Sequence, residues 1–444
     1  MTGFYSALVV KIQDVKPIKG ADFIASATIG INNITVAHVI VANTVSAGEY
    51  GLFFCAGSQI AESFAQANNL LAVYDSEGNK TSGGYLDEKR KIRAQRFKGV
   101  RSEGLWMSFK SLSYLFESPQ ALRAYTDSLV EGDRVQSVRG TEICRRFALP
   151  SAKPEKLQPE KVQDSVMNFP PHYKTPQLAY CLQDLEHLVG ARLIITEKLH
   201  GTSMRTGRVP VRVQGELPLW KKIVNKCNLL CPWLPKFVLD SYTFDLVYGS
   251  RRTILDDSRL GFYGTHAFRY ESVGRPDLLE NEVIYGEIVG WINEETPIMP
   301  DQDTKELKDV KALFGASMRY TYGQPRGTCK HYVYRITQMD AFGVIHDLPH
   351  AEVKRRASQL GYETPTVIFE EENWTGDIQA LLSKVQEIVE PNGYWCKSTY
   401  GDHIMEGVVI LFEKNGQVYP YKHKGIAFKI LEGIAEVPTG EEES

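Results

Sequence analysis

Lys198 closes a β-branched run, in Ile194-Ile195-Thr196-Glu197-Lys198-Leu199-His200-Gly201-Thr202-Ser203. A lysine delivered by a buried strand can be held where water is scarce. Desolvation and neighbouring cations lower the pKa of an ammonium, and the free amine is a nucleophile. Gly201 would let the backbone come close to a ligand. Taken singly, a lysine ahead of a glycine turn is usually an ordinary surface feature.

Three further segments gain meaning beside it. Glu287 interrupts the apolar run Val283-Ile284-Tyr285-Gly286-Glu287-Ile288-Val289, and a buried carboxylate needs a metal, a hydroxyl or a cation. Glu406 repeats the design at the entry to Gly407-Val408-Val409-Ile410. Two carboxylates beside a lysine can hold a divalent metal. In Tyr421-Lys422-His423-Lys424, two lysines fall two residues apart, on one face of an extended strand. Converging lysines repel unless an anion lies between them, and a triphosphate is the natural occupant. Their field would also depress the pKa of a third lysine.

The order of these pieces resembles the covalent nucleotidyltransferase superfamily of ATP-dependent ligases and capping enzymes. The segment Glu197-Lys198-Leu199-His200-Gly201-Thr202 has His where DNA ligases and capping enzymes usually carry Asp, and is similar to the RNA ligase 2 type. In the first half, Pro17-Ile18-Lys19-Gly20-Ala21-Asp22, Gly83–Glu88 and Gly99–Leu105 resemble the amino-terminal OB-type domain of Deinococcus/Naegleria-type RNA ligases. The resemblance implies an ATP-dependent RNA ligase that joins a 3′-OH to a 5′-phosphate through lysyl-AMP and RNA-adenylate. It makes Lys198 the adenylated nucleophile and Glu197, His200 and Gly201 nucleotide contacts. Arg251, or its neighbour Arg252, would hold phosphate or ribose, and Glu287 the ribose. Tyr334, or Tyr332, would stack on adenine. Lys422 and Lys424 would bind the triphosphate, and Glu406 a metal. The implied cofactors are ATP with Mg²⁺ or Mn²⁺, and the partners are RNA ends in a nicked duplex or hairpin. A capping guanylyltransferase, a DNA ligase or an inactive nucleic-acid-binding relative are the alternatives.

The elements that must position these groups can be read more coarsely. Strand-like text at Ala7–Val15, Ile34–Val41 and Leu52–Cys55 predicts a small barrel or sandwich, with a short helix at Ala61–Asn68. Lys89–Arg101 carries Lys89, Arg90, Lys91, Arg93, Arg96, Lys98 and Arg101 with Ile92, Phe97 and Val100 among them. It reads either as a solvated strand face or as a phosphate-contacting surface, with Arg93, Arg96 and Lys98 as nucleic-acid candidates. Proline-rich Leu149–Pro171 suggests a linker, giving domains at 1–150 and 172–444 about a linker at 151–171. Later strands are expected at Ala191–Thr196, Glu282–Val289, Tyr332–Gln338, Gly407–Phe412 and Val418–Tyr421. A helical stripe at Asp377–Val389 has Thr375 available as its cap. Residues 207–248 read as an insertion. The expected fold is α+β: an N-terminal OB-like β-barrel, then an antiparallel-sheet nucleotidyltransferase domain of the ATP-grasp-like adenylyltransferase kind.

Bulk composition is consistent with this and excludes other classes. The 444 residues are 43% hydrophobic and 24% charged, which suits a packed globular protein of two or three domains. A net charge of −3 argues against coating nucleic acid by bulk charge, though not against a local basic groove. The seven cysteines are odd in number and scattered, so free thiols in a reducing compartment are expected; Cys227 and Cys231 lack the partners of a zinc site. No run of about 18 apolar residues occurs, and no secretory leader is expected. A cytoplasmic monomer follows as the expectation, in the host cytoplasm if phage-encoded.

Overall fold

The computed structural model describes residues 6–74, 80–84, 86–98, 100–147, 166–173, 175–214, 240–256, 263–391 and 393–432.

 
Two stretches of β-structure lie on either side of the 148–165 gap in that description.

The first is one antiparallel sheet of β1 (Ala7–Pro17), β2 (Ile24–Ile31), β3 (Ile34–Ala42), β4 (Tyr50–Cys55) and β5 (Gly104–Ser108), in the order β5-β4-β1-β2-β3, with short β6 (Arg134–Val135) also on β1. Its strands are apolar on both faces for a reason. Ala7 and Val9 enter one core with Phe64 of α1 (Glu62–Ala67), while Leu8, Val10 and Ile12 enter another with β2, β3 and Trp106. The sheet curls so that β3 approaches the start of β5. There Glu103 N–H donates to the His38 carbonyl at 2.9 Å, and Ser102 Oγ accepts from Ile40 N–H at 3.0 Å. Side chains thus take N–H groups that a fully laddered barrel would pair between strands, and the curl is a half-barrel.

The second stretch holds two antiparallel sheets. One has the order β13-β7-β14-β15, from β7 (Arg192–Glu197), β13 (Val367–Glu371), β14 (Gly407–Lys414) and β15 (Gln417–Lys424). The other has the order β9-β8-β10-β11-β12, from β8 (Thr202–Gln214), β9 (Asp240–Gly249), β10 (Glu282–Gly290), β11 (Cys329–Met339) and β12 (Ile345–Asp347). Three helices matter here: α2 (His350–Gln359), α3 (Ile378–Val389) and α4 (Ile426–Leu431). Leu381, Val385 and Val389 of α3 pack on Leu193, Ile195, Ile410 and Phe412 of the first sheet, as the helical stripe demands.

Several expectations need correction. Residues 207–214 and 240–248, inside the stretch expected as an insertion, are the paired arms of β8 and β9, joined in register from Arg205↔Gly249 to Gln214↔Asp240. Residues 215–239, with Cys227 and Cys231, lie outside the description. The end of the expected linker is packed: Phe169 lies against the Arg205 guanidinium, 4.4 Å from its ring centroid, and the Pro170 carbonyl accepts from Tyr285 Oη at 3.1 Å. The cap of α3 is Asp377, which accepts from Ala380 N–H at 2.9 Å; Thr375 Oγ1 accepts only from Asp377 N–H, at 3.4 Å. Cys55, Cys144, Cys181, Cys329 and Cys396 are free thiols.

The basic stretch is also changed by its neighbours. Arg93 pairs with Asp87 at 3.2 Å, Arg90 Nε donates to the Ile60 carbonyl, and Lys91 lies over the Phe147 ring. Arg93 thus shares its charge with a carboxylate while its side chain stays exposed. Lys98 is exposed at a turn with φ 52°, and the Arg96 side chain is outside the description.

Asp377→Ala should lower the unfolding free energy by about 1 kcal/mol, the usual worth of an N-cap. Denaturant midpoints would read this, with the cleft chemistry unaltered because α3 lies behind the sheet.

Candidate active site

The two sheets of the second stretch face each other across a cleft lined by Lys198, Glu197, Ser203, Arg251, Glu287, Tyr334, Arg335, Glu406, Lys422 and Lys424. Each side chain arrives by local geometry. Lys198 emerges where β7 ends, and its N–H donates to the Gly407 carbonyl at 2.9 Å. Pairing of Glu197 with Val408 brings the ends of β7 and β14 together, so residues more than 200 apart in sequence meet. Gly407 has φ 151°, and a Cβ there would overlap the His423 carbonyl. Only glycine holds β15, and with it Lys422 and Lys424, this close to Glu406.

Glu406 is the centre of charge. Its side chain is 2% exposed; Oε2 accepts from Lys198 Nζ at 2.8 Å, and Oε1 lies 3.2 Å from Lys424 Nζ. Burial alone would raise its pKa, but Lys198 and Lys424 outweigh burial and hold it below the usual carboxylate value. Lys198 behaves oppositely to the sequence expectation. Burial pulls its pKa down, but Glu406 and then Glu287 outweigh it, so the ammonium is favoured. The depressed lysine is Lys422, lowered to about 8 by burial and then by Lys198 and Lys424. Glu287, held by Ser203 Oγ at 3.3 Å, is pushed up to about 7 by burial against the pull of Lys198.

Other candidates are placed less directly. The Glu197 carboxylate is turned into the fold: it accepts from Ser398 Oγ at 2.6 Å, Thr399 Oγ1 at 2.7 Å and Thr399 N–H at 3.0 Å. It anchors the strand that carries Lys198 to the 398–399 loop. His200 lies behind Glu406, with Nδ1 3.7 Å from Oε2, between the rings of Tyr320 and Phe428. Burial lowers its pKa to about 4. Gly201 approaches protein and not ligand: a Cβ would overlap the Ile288 carbonyl.

Two open choices separate geometrically. Arg251 lines the cleft; Arg252 does not. Tyr334 lines it too, its Oη bonded to His172 Nδ1 at 2.7 Å, whereas Tyr332 is buried with its ring edge-on to Tyr400. A β-bulge makes the difference: Tyr285 pairs with Arg335 and Gly286 with Val333, leaving Tyr334 as the extra residue. Tyr334 and Arg335 can therefore both line the cleft. Arg335 pairs with Asp347 and stacks on Tyr173 and Tyr285.

The sequence reading missed His172, Tyr173, Thr175, Ser203, Arg335 and His350, which also line the cleft. His172 and Tyr173 directly follow Pro170-Pro171 and were hidden by the linker-like composition. The His172 pKa falls to about 3 through burial and the nearby Arg205, Arg251 and Arg335. Among the described residues, no group of three or more His, Cys, Asp and Glu is arranged to hold a metal ion.

A mixed-sign cleft built on a strand-end lysine between two antiparallel sheets defines a nucleotidyltransferase-like site. The RNA ligase family model matches residues 191–424, and the chain belongs to the RNA ligase family. A substituted form of Naegleria gruberi RNA ligase without ligand matches over 98% of this chain and 99% of its own, at 14% identity and TM-score 0.51. The same ligase with pyrophosphate matches over 96% and 98%, at 15% identity and TM-score 0.50. Another substituted form, with AMP and Mn, matches over 97% and 98%, at 15% identity and TM-score 0.50. A comparison with curated proteins found no match.

Removing the Glu406 charge should lower the pKa of Lys198, since that carboxylate favours the ammonium. In Glu406→Gln, ¹⁵N shifts of the Lys198 amine should titrate at lower pH than in the wild type; titration at the same or higher pH would sink this account of the site.

Proposed function

We propose that the chain is an ATP-dependent RNA ligase that seals a 3′-OH to a 5′-phosphate, with Lys198 as the adenylated nucleophile. The observation that carries this reading is the meeting of Lys198, Glu406, Lys422 and Lys424 in one cleft, because a nucleophilic amine among cations suits attack on a phosphoanhydride. In the first step, the Lys198 amine forms a P–N bond to the α-phosphorus while the bond to the bridging oxygen breaks and pyrophosphate leaves. Lys198 must first lose a proton to solvent, against the hold of Glu406 on its ammonium. In the second step, an RNA 5′-phosphate oxygen attacks the same phosphorus, and the P–N bond breaks to return the amine. In the third, a 3′-hydroxyl attacks the activated 5′-phosphate and AMP leaves. Negative charge shifts among phosphate oxygens at every step, and Lys422, Lys424 and Arg251 are the groups on hand to offset it.

The remaining roles follow by position. Tyr334 offers a ring to the adenine and Glu287 a carboxylate to the ribose. Glu197 acts from behind, through the strand that presents Lys198. The donors present fit a hard cation in one limited way: Glu406 supplies one carboxylate, and the polyphosphate with water would complete its shell. When bound there, Mg²⁺ or Mn²⁺ would neutralise the triphosphate and the leaving pyrophosphate. The order β5-β4-β1-β2-β3 supports reading residues 1–150 as an OB-type nucleic-acid module, joined through 151–171 to a catalytic domain at 172–444. RNA in a nicked duplex or hairpin is its proposed partner, and the cytoplasm its proposed compartment.

The test is covalent labelling. Protein incubated with α-³²P-ATP and Mg²⁺ or Mn²⁺ should gain an acid-labile label, and Lys198→Ala should gain none. Label on the alanine variant would refute the nucleophile, and label from GTP alone would move the reading to capping.

The Lys422 titration gives a second expectation. Its charge helps bind a polyanion and is lost as pH rises through about 8. ATP affinity should therefore fall through that range, and Lys422→Arg, charged throughout, should flatten the fall in a binding titration.

A further inference from the structure

Lys422 and Lys424 both line the cleft, yet their surroundings differ. No side chain among the described residues forms an ion pair with Lys422. Lys424 Nζ lies 3.2 Å from Glu406 Oε1 and 2.7 and 2.8 Å from the two oxygens of Glu432. An ammonium has three N–H donors. The two Glu432 oxygens take two of them, and Glu406 adds an ion pair, so Lys424 has at most one donor to give a phosphate.

One of the two carboxylates must yield before Lys424 can turn its charge and donors fully to an anion. Glu406 is 2% exposed and also holds Lys198, and stripping it would leave buried charge without a partner. Glu432 is 27% exposed and can turn into water. It is the C-cap of α4, where the helix carbonyls point and an acid has the unfavourable sign. The helix gives no reason of its own for an acid there; Lys424 does.

We propose that Glu432 stands in for the phosphates of the ligand: it holds Lys424 and is displaced by phosphate oxygens when a triphosphate or pyrophosphate enters. The proposal rests on the nucleotide reading of the cleft. Lys422 makes the first contact with the anion, and Lys424 joins after exchanging Glu432 for phosphate. Glu432 thereby weakens polyphosphate binding and eases release of pyrophosphate. A carboxylate that only oriented Lys424 would do the reverse, because its loss would free the lysine side chain and weaken binding.

The experiment is calorimetric binding of inorganic pyrophosphate to full-length protein, first discharged of any bound AMP with excess pyrophosphate and desalted. Glu432→Gln should bind about threefold to tenfold more tightly than wild type, the range expected for losing a partly exposed competing ion pair. Glu432→Asp, which keeps the charge on a shorter arm, should fall between. In a Lys424→Met background the Glu432→Gln change should have no effect, since the coupling runs through that lysine. Circular dichroism would check that each variant is folded, and the aspartate variant tests the idea if the glutamine variant is not. Unchanged or weaker binding by folded Glu432→Gln, where wild type binds, overturns the proposal. Failure of wild type to bind either pyrophosphate or ATP instead overturns the nucleotide reading on which it rests.

Discussion

The buried contact between Lys198 and Glu406 is the constraint that the rest of the second half obeys. Taking two charges out of water is costly, and the cost is offset only when geometry is close and other partners assist. Here the distance is 2.8 Å and a second lysine flanks the carboxylate. That arrangement needs the β7–β14 register, the Lys198 N–H to Gly407 bond, and a residue at 407 with no side chain. A one-residue slip between those strands would turn the carried side chains to the other face.

A site balanced in this way is satisfied before any ligand arrives. Lys198 is stored as its ammonium, and the cleft carries its readiest proton exchangers at Glu287 and Lys422, near 7 and 8. A polyanion entering such a site adds negative charge that competes with Glu406 for the lysines. Binding and charge are then coupled, because the polyanion and Glu406 compete for the same lysines.

The sequence made much of this legible, for physical reasons. Apolar β-branched runs identified β1, β3, β4, β7, β10, β11, β14 and β15, because strands buried on a core carry that composition whatever their partners. The 3.6 period identified α3. Lys198, Glu287, Glu406, Lys422 and Lys424 were found because charged residues are rare inside such runs. What stayed hidden depends on three-dimensional pairing. The sign of the Lys198 shift turns on one carboxylate 208 residues away. The inward turn of Glu197 depends on Ser398 and Thr399, which look like plain loop residues. His172 and Tyr173 lay beside two prolines, a local signal for linker that packing against β8–β10 overrides.

The bulge at Tyr334 changes the phase of a whole strand. Val333 and Ile336 share one core although they are three positions apart, a spacing that a regular pleat would send to opposite faces. The strand therefore runs in two phases, one for Cys329–Val333 and one for Arg335–Met339, with a single residue absorbing the difference. Removing that residue would unite the phases and leave a straighter ladder, but one half could keep its facing only if the other were turned over. The irregularity is thus a fixed coordinate of the cleft, and length at this point of the chain is as constrained as chemistry.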